Sequence, residues 1–230
     1  MGLRVCQSAA ELAPFAKTGG LGDMVPGLAR ALGRAGHEVR AFLPFYAPIA
    51  RLDHRFTLVD FLRDVELQLG SRRFRYSVFS ARLPDSEVDV YFVHCPALYH
   101  QESVYSSGWD EYLRYALLGR ATLESCQRMG WAPDVIHVHD WHTALVPVYL
   151  RTLYAWDRLF ARTRTVLTLH NLGYAGSFGA HVLPELGPQA SAHLLHQEDL
   201  AAGRVSFLRT GLLHADYLST VSRTYAREIQ

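Results

Sequence analysis

A chain of 230 residues with 49% hydrophobic content is long and apolar enough to build a substantial core. Its 23 basic and 22 acidic residues leave a net charge of +1, which excludes a general electrostatic grip on nucleic acid or an anionic membrane but leaves room for a small, locally held anion. Cys6, Cys95 and Cys126 are odd in number and scattered, no apolar run is long enough to span a bilayer, and the N-terminus lacks a signal-peptide core, so a soluble protein of the reducing cytoplasm is expected.

Residues 3–8 form a short apolar strand pattern, followed by a glycine loop and a helix with Leu21, Val25, Leu28 and Leu32 on one face; Gly36 closes that helix, and residues 37–43 give a second strand. The unit has the length of a right-handed parallel crossover, Rossmann-like in kind. Residues 56–93 change to strand-like runs (FTLVDFL, VELQL, FRYSVFS, VDVYFV) broken at Gly70-Ser71 and Pro84-Asp85, which predicts a meander inserted in, or edging, the main sheet. An aromatic loop over 97–109 precedes a helix over 111–128. Three further strands, DVIHVH, TVLTLH and YLSTV, then alternate with helices, and residues 188–192 read as a loop. The fold class expected is α/β, a doubly wound, mostly parallel sheet in one domain.

In such sheets ligands bind beyond the carboxyl ends of the strands. There the sequence places Lys17-Thr18-Gly19-Gly20, His139-Asp140-Trp141-His142, His170-Asn171 and Ser222. Lys17 is the only lysine; every other basic residue is arginine. Beside Gly19, Gly20 and Gly22 and the start of a helix at Asp23 or Met24, a compact ammonium suits a phosphate. The plainer alternative is a tight turn with Asp23 as N-cap and Pro26 in the first helical turn. The spacing matches neither the dinucleotide nor the P-loop fingerprint.

The run HVHDWH admits a metallo-hydrolase reading, but its aspartate stands one position early, and His137 suits a buried, hydrogen-bonded strand histidine. Asp140 also fits as the N-cap of a helix over 141–154. His170-Asn171, followed by Gly173, Gly176 and Gly179, looks like a strand end opening on a loop.

Taken together, AELAPFAKTGGLGDMVPGLARALGRAGHEVRAFLPFY, HVHDWHTALVPVYL, TLHNLGYAGSF and VSFLRTGLLHADYLSTVSRTYAREI resemble, in order and spacing, the N-terminal domain of bacterial glycogen synthases and plant starch synthases. The resemblance implies that residues 1–230 form one Rossmann-like half of a GT-B pair, whose C-terminal domain is absent from this chain. It implies retaining transfer of glucose from ADP-glucose to the non-reducing end of an α-1,4-glucan, without metal or cofactor, and little activity for this half alone. Lys17, with the Gly19 and Gly20 N–H groups, is then expected beside the donor diphosphate. His170 and Asn171 are expected at the donor glucose, Asp140 as the acid of HDWH, Asp23 as the acid closing the glycine loop, and Tyr105 at the sugar site. Where the family reads YQG and SPTYA, this chain has Tyr174-Ala175-Gly176 and Ser222-Arg223-Thr224-Tyr225-Ala226; Val104-Tyr105 and Asp110-Glu111 also depart from it. A stand-alone glucan-binding module is the alternative from a different class.

Overall fold

The computed structural model describes residues 2–106, 108, 110–187 and 189–230, the side chains of 189–191 excepted. The strands are β1 (Arg4–Ser8), β2 (Glu38–Pro44), β3 (Thr57–Leu58), β4 (Val65–Leu69), β5 (Arg72–Arg82), β6 (Asp89–His94), β7 (Val135–His139), β8 (Arg164–Leu169), β9 (Ser177–Gly179), β10 (Arg204–Ser206) and β11 (Tyr217–Thr220). The helices are α1 (Gly20–Arg34), α2 (Pro96–Tyr99), α3 (Glu111–Arg128), α4 (Asp140–Thr143), α5 (Val146–Arg151), α6 (Leu183–Leu186), α7 (Gln197–Ala201), α8 (Phe207–His214) and α9 (Arg223–Glu228). Among the described residues no helix is long and apolar enough to cross a membrane.

The main sheet runs β11-β8-β7-β1-β2-β6-β5-β3, with β4 paired to β5. From β11 to β6 every pairing is parallel. β1, β2 and β7 are buried over most of their length because both faces are covered, as parallel sheets require. The chain steps outward from β1 to β2 and β6 on one side, and to β7, β8 and β11 on the other. The order therefore reverses at β1, which opens a crevice at the carboxyl edge beside it.

The expected meander edges the sheet, with one correction. VDVYFV is β6, a parallel neighbour of β2 in register Ala41↔Val90 to Pro44↔Val93, so only β3, β4 and β5 are antiparallel additions. β4 alternates buried and exposed residues, the pattern of a sheet with one wet face. α3 fills residues 111–128 as expected and is buried on nearly every side, including the guanidinium of Arg114, which binds Glu111 at 2.8 Å and the Val104 carbonyl at 3.0 Å. The loop expected over 188–192 is largely a 3-10 turn, Gln189–Leu194; Pro188 lies outside the described residues, as does Trp109 of the aromatic loop.

α1 begins earlier than expected. Gly19 is its N-cap, without a side-chain cap, so Asp23 stands inside the first turn and Pro26 inside the helix rather than at its start. Proline has no N–H to give the carbonyl one turn back. The carbonyl of Gly22 is instead taken by the Ala13 N–H at 2.8 Å, which ties the β1–α1 loop to the helix it precedes. Leu12 and Ala16 pair across that loop, and the Tyr46 hydroxyl donates to the Ala10 carbonyl at 3.0 Å.

The helix expected over 141–154 is broken into α4 and α5, since Pro147 cannot donate into a continuous ladder. His139, not Asp140, occupies its N-cap position.

Candidate active site

The glycine loop is organised by a residue that the sequence did not single out. Glu11 is 2% exposed, and its carboxylate accepts the Thr18 N–H at 2.6 Å, the Thr18 hydroxyl at 2.7 Å and the Gly19 N–H at 3.0 Å. The Tyr105 hydroxyl, from the 101–106 segment, donates to the same carboxylate. Desolvation would raise the Glu11 carboxyl, but these donors outweigh it and hold it below its ordinary value. A side chain at Gly22 would run into Lys17 and the Glu11 carboxylate, whereas side chains at Gly19 and Gly20 would project into open space.

At the end of β7, Asp140 has φ +52, a left-handed backbone that asparagine and aspartate tolerate better than most residues. This turns its carboxylate across to the next strand end, where it accepts the His170 N–H at 2.7 Å and the Asn171 N–H at 3.3 Å. Burial raises the Asp140 carboxyl against the pull of those two N–H groups and of the His170 ring. The Asn171 side chain accepts the Gly173 N–H at 2.8 Å and shapes its own turn.

The histidines form a chain that runs inward from the part-buried His170 to the buried His139 and His137. His170 Nε2 meets His139 Nδ1 at 3.3 Å, the His139 ring lies 4.3 Å from that of His137, and His137 Nε2 meets the Thr168 hydroxyl at 2.6 Å. Burial holds all of them neutral: His137 is pushed down to about 4, His139 well below the ordinary value and His170 below it. His142, pushed down to about 3, stacks on Tyr105 with centroids 5.1 Å apart. His137 is thus the hydrogen-bonded strand histidine expected. Among the described residues no three His, Cys, Asp or Glu side chains are grouped to hold a metal ion.

These elements enclose a cavity of about 730 Å³ at the crevice beside β1. Its wall includes three acids, Glu11, Glu111 and Asp140, together with Tyr105, Ser106, His142, His170, Asn171 and Tyr174; none of its described lining residues is a lysine or an arginine. Such a wall suits a neutral, hydroxyl-rich ligand. Its acid-bearing part is poorly suited to a dense negative charge, which leaves the helix start at Gly20 and Leu21 as the part of the lining that an anion could face.

A profile of the starch synthase catalytic domain matches residues 4–230. The chain belongs to the starch synthase catalytic domain family. It is 38% identical over 233 residues to the glycogen synthase of Hydrogenobaculum sp. (strain Y04AAS1), a match covering 99% of this chain and 46% of that protein. It is 39% identical over 236 residues to glycogen synthase 1 of Geobacter sulfurreducens, again 46% of the relative. The catalytic domain of starch synthase IV from Arabidopsis thaliana, solved bound to ADP and acarbose, superposes with a TM-score of 0.90 at 32% identity, over 100% of this chain and 47% of that one. The chain therefore spans about half the length of these relatives.

In this starch synthase domain the structure brings six of the expected site residues to one cavity: Gly19, Gly20, Tyr105, Asp140, His170 and Asn171. Two stand apart from it. Lys17 and Asp23 lie outside the lining and pair with each other at 2.7 Å, with side chains 50% and 62% exposed. The Gly19 N–H, expected to face a ligand, is given to Glu11 instead. Ser222 caps α9 by accepting the Tyr225 N–H at 3.0 Å, and its neighbour Val221 reaches the cavity. Thr18 and His142, which lie within the singled-out motifs, also line the cavity, whereas Glu11 and Glu111 were not expected there: each is an acid whose partners lie on other parts of the chain or in the next turn.

Proposed function

We propose that this chain is the N-terminal unit of a retaining glucosyltransferase that moves glucose from ADP-glucose to the non-reducing end of an α-1,4-glucan, with a second Rossmann-like unit completing the site. The observation that carries the reading is the cavity at the sheet's carboxyl edge, whose described lining includes acids, aromatic rings and hydroxyls and no cationic side chain. Carboxylates and ring faces there suit sugar hydroxyls and sugar faces. In this reading His170, Asp140 and Asn171 meet the donor glucose and Tyr105 a sugar face. The Gly20–Leu21 start of α1 faces the diphosphate, where the first N–H groups of a helix have no intrahelical acceptor. Lys17 reaches the same phosphates by leaving Asp23, so Lys17→Arg lowers kcat/KM for the donor in the two-unit enzyme.

The leaving nucleoside diphosphate gains charge as the glycosidic bond breaks, and fixed positive partners lower that barrier. With no cation among the described residues of this wall, the second unit is expected to supply most of them. The purified chain, given ADP-glucose and glycogen, therefore transfers little or no glucose; turnover on the scale of a full-length synthase would overturn the two-unit reading. The same cavity favours glucan binding by this unit alone, and retarded migration through glycogen-containing gels is the expected result. Mobility unchanged by glycogen counts against sugar binding by this half.

A further inference from the structure

Three facts about the glycine loop belong together. Its Thr18 and Gly19 N–H groups converge on one point beside the start of a 15-residue helix, the arrangement that recognises oxyanions. That point is already occupied by the buried carboxylate of Glu11, whose remaining capacity is taken by the Thr18 and Tyr105 hydroxyls. A side chain at Gly22 would collide with that carboxylate at 2.9 Å, so the helix leaves room for it.

We propose that Glu11 is a positioning residue that serves as a built-in anion: its Oε2 fills the oxyanion site formed by the Thr18 and Gly19 N–H groups, its Oε1 holds the Tyr105 hydroxyl, and only the Gly20–Leu21 end of the helix is left open to a ligand phosphate. The consequence for a nucleoside diphosphate is a narrow landing site bounded by a fixed negative charge. Ligands with more negative charge are disfavoured there relative to ligands whose outer phosphate is esterified. The phosphate part of this inference rests on the donor reading above, but the occupancy of the loop does not, and it is tested without any donor.

The experiment is amide NMR of the 15N-labelled chain. In the native protein the Thr18 and Gly19 amide protons resonate far downfield, and they titrate only below the ordinary carboxylate value of 4.5, because the ionised acid is the better acceptor. In Glu11→Ala both signals move upfield, and sodium formate returns them toward their native positions with saturation. Inorganic pyrophosphate binds the same two amides at least about tenfold more tightly than in the unmodified chain, since a charge-assisted hydrogen bond is worth that much or more. Glu11→Gln, with one acceptor oxygen and an added N–H donor, does not restore the native shifts.

Amide signals unmoved in Glu11→Ala, or a formate response equal to that of the unmodified chain, would overturn the proposal. Should Glu11→Ala fail to fold, Tyr105→Phe is decisive. It removes one of the donors sharing the carboxylate, so the Thr18 and Gly19 signals must move further downfield; unchanged shifts refute the shared site. Pyrophosphate binding that improves in Glu11→Ala, combined with absent use of ADP-glucose by the two-unit enzyme, would sink the glucosyltransferase reading and leave this inference standing.

Discussion

Asp140 offers the sharpest test of how the site is built. It spans two strand ends with a single carboxylate oxygen, from a backbone at φ +52. Asp140→Ala removes the acceptor and places alanine in a left-handed conformation. The charge-assisted bond from the His170 N–H at 2.7 Å is worth about 2 kcal/mol and the longer one from Asn171 about 1. The backbone adds about 1 kcal/mol, so the expected loss is about 4 kcal/mol. Asp140→Asn keeps the acceptor oxygen and tolerates the backbone, and it removes a charge that burial disfavours. It should fall within about 1 kcal/mol of the unmodified chain near neutral pH, or exceed it. Urea unfolding followed by circular dichroism and tryptophan fluorescence measures both, with Trp141 as the adjacent reporter. An alanine variant within about 1 kcal/mol of the unmodified chain, or an asparagine variant as unstable as alanine, refutes the strut.

Acid should weaken the fold early. Because His137, His139 and His142 are held neutral, the unfolded chain binds more protons below about 6.5, and stability falls as pH drops from there toward 4 and 3, by up to about 1.4 kcal/mol per pH unit for each ring. Glu11, depressed when folded, acts in the same direction below its ordinary 4.5, while the raised Asp140 partly offsets it; a flat urea midpoint between about pH 7 and pH 5 refutes the neutral histidine chain. Gly176→Ala would set a Cβ 2.3 Å from the Trp141 ring at φ +57 and should cost about 2–4 kcal/mol, against about 1 for Gly36→Ala, which shares a positive φ but meets nothing within 4 Å. Equal losses in urea would show that the Trp141 contact is unimportant. All three cysteines are buried, and burial pushes the Cys6 thiol well up and Cys95 to about 11. Thiol reagents should therefore label the native chain far more slowly than the denatured one, and rapid native labelling would contradict that burial.

Much of the fold was legible because parallel strands announce themselves as short apolar runs and because the polar residues after β1, β7 and β8 fall at one sheet edge by topology. Where the expectation missed, long-range partners decided. Asp23 and Asp140 both resemble helix caps locally, but Gly19 and His139 take those positions, freeing Asp23 for Lys17 and Asp140 for β8. VDVYFV reads as another antiparallel strand until β2 is seen to lack a neighbour on that side. The lone lysine marked the right loop but not the cavity wall. Glu11, which does organise that loop, looks in the sequence like any acid in a connecting segment, and only the return of the chain between Leu12 and Ala16 brings Thr18 and Gly19 back to it.

The hydrogen bond that Pro26 cannot make within α1 renders the β1–α1 connection unlike an ordinary loop. Surface connections usually absorb added or lost residues. Here the Ala13 N–H fills the carbonyl that Pro26 leaves open, while the Ala10 carbonyl is anchored on Tyr46 and Leu12 is paired with Ala16. The segment is fixed at several points along its length, so its residue count is set mechanically. One residue more or fewer between Ala10 and Gly22 would force a choice between an unfilled helix carbonyl and a misaligned Glu11. The segment thus works as a ruler between strand and helix, and variation in its length, more than variation in its composition, is what this fold should resist.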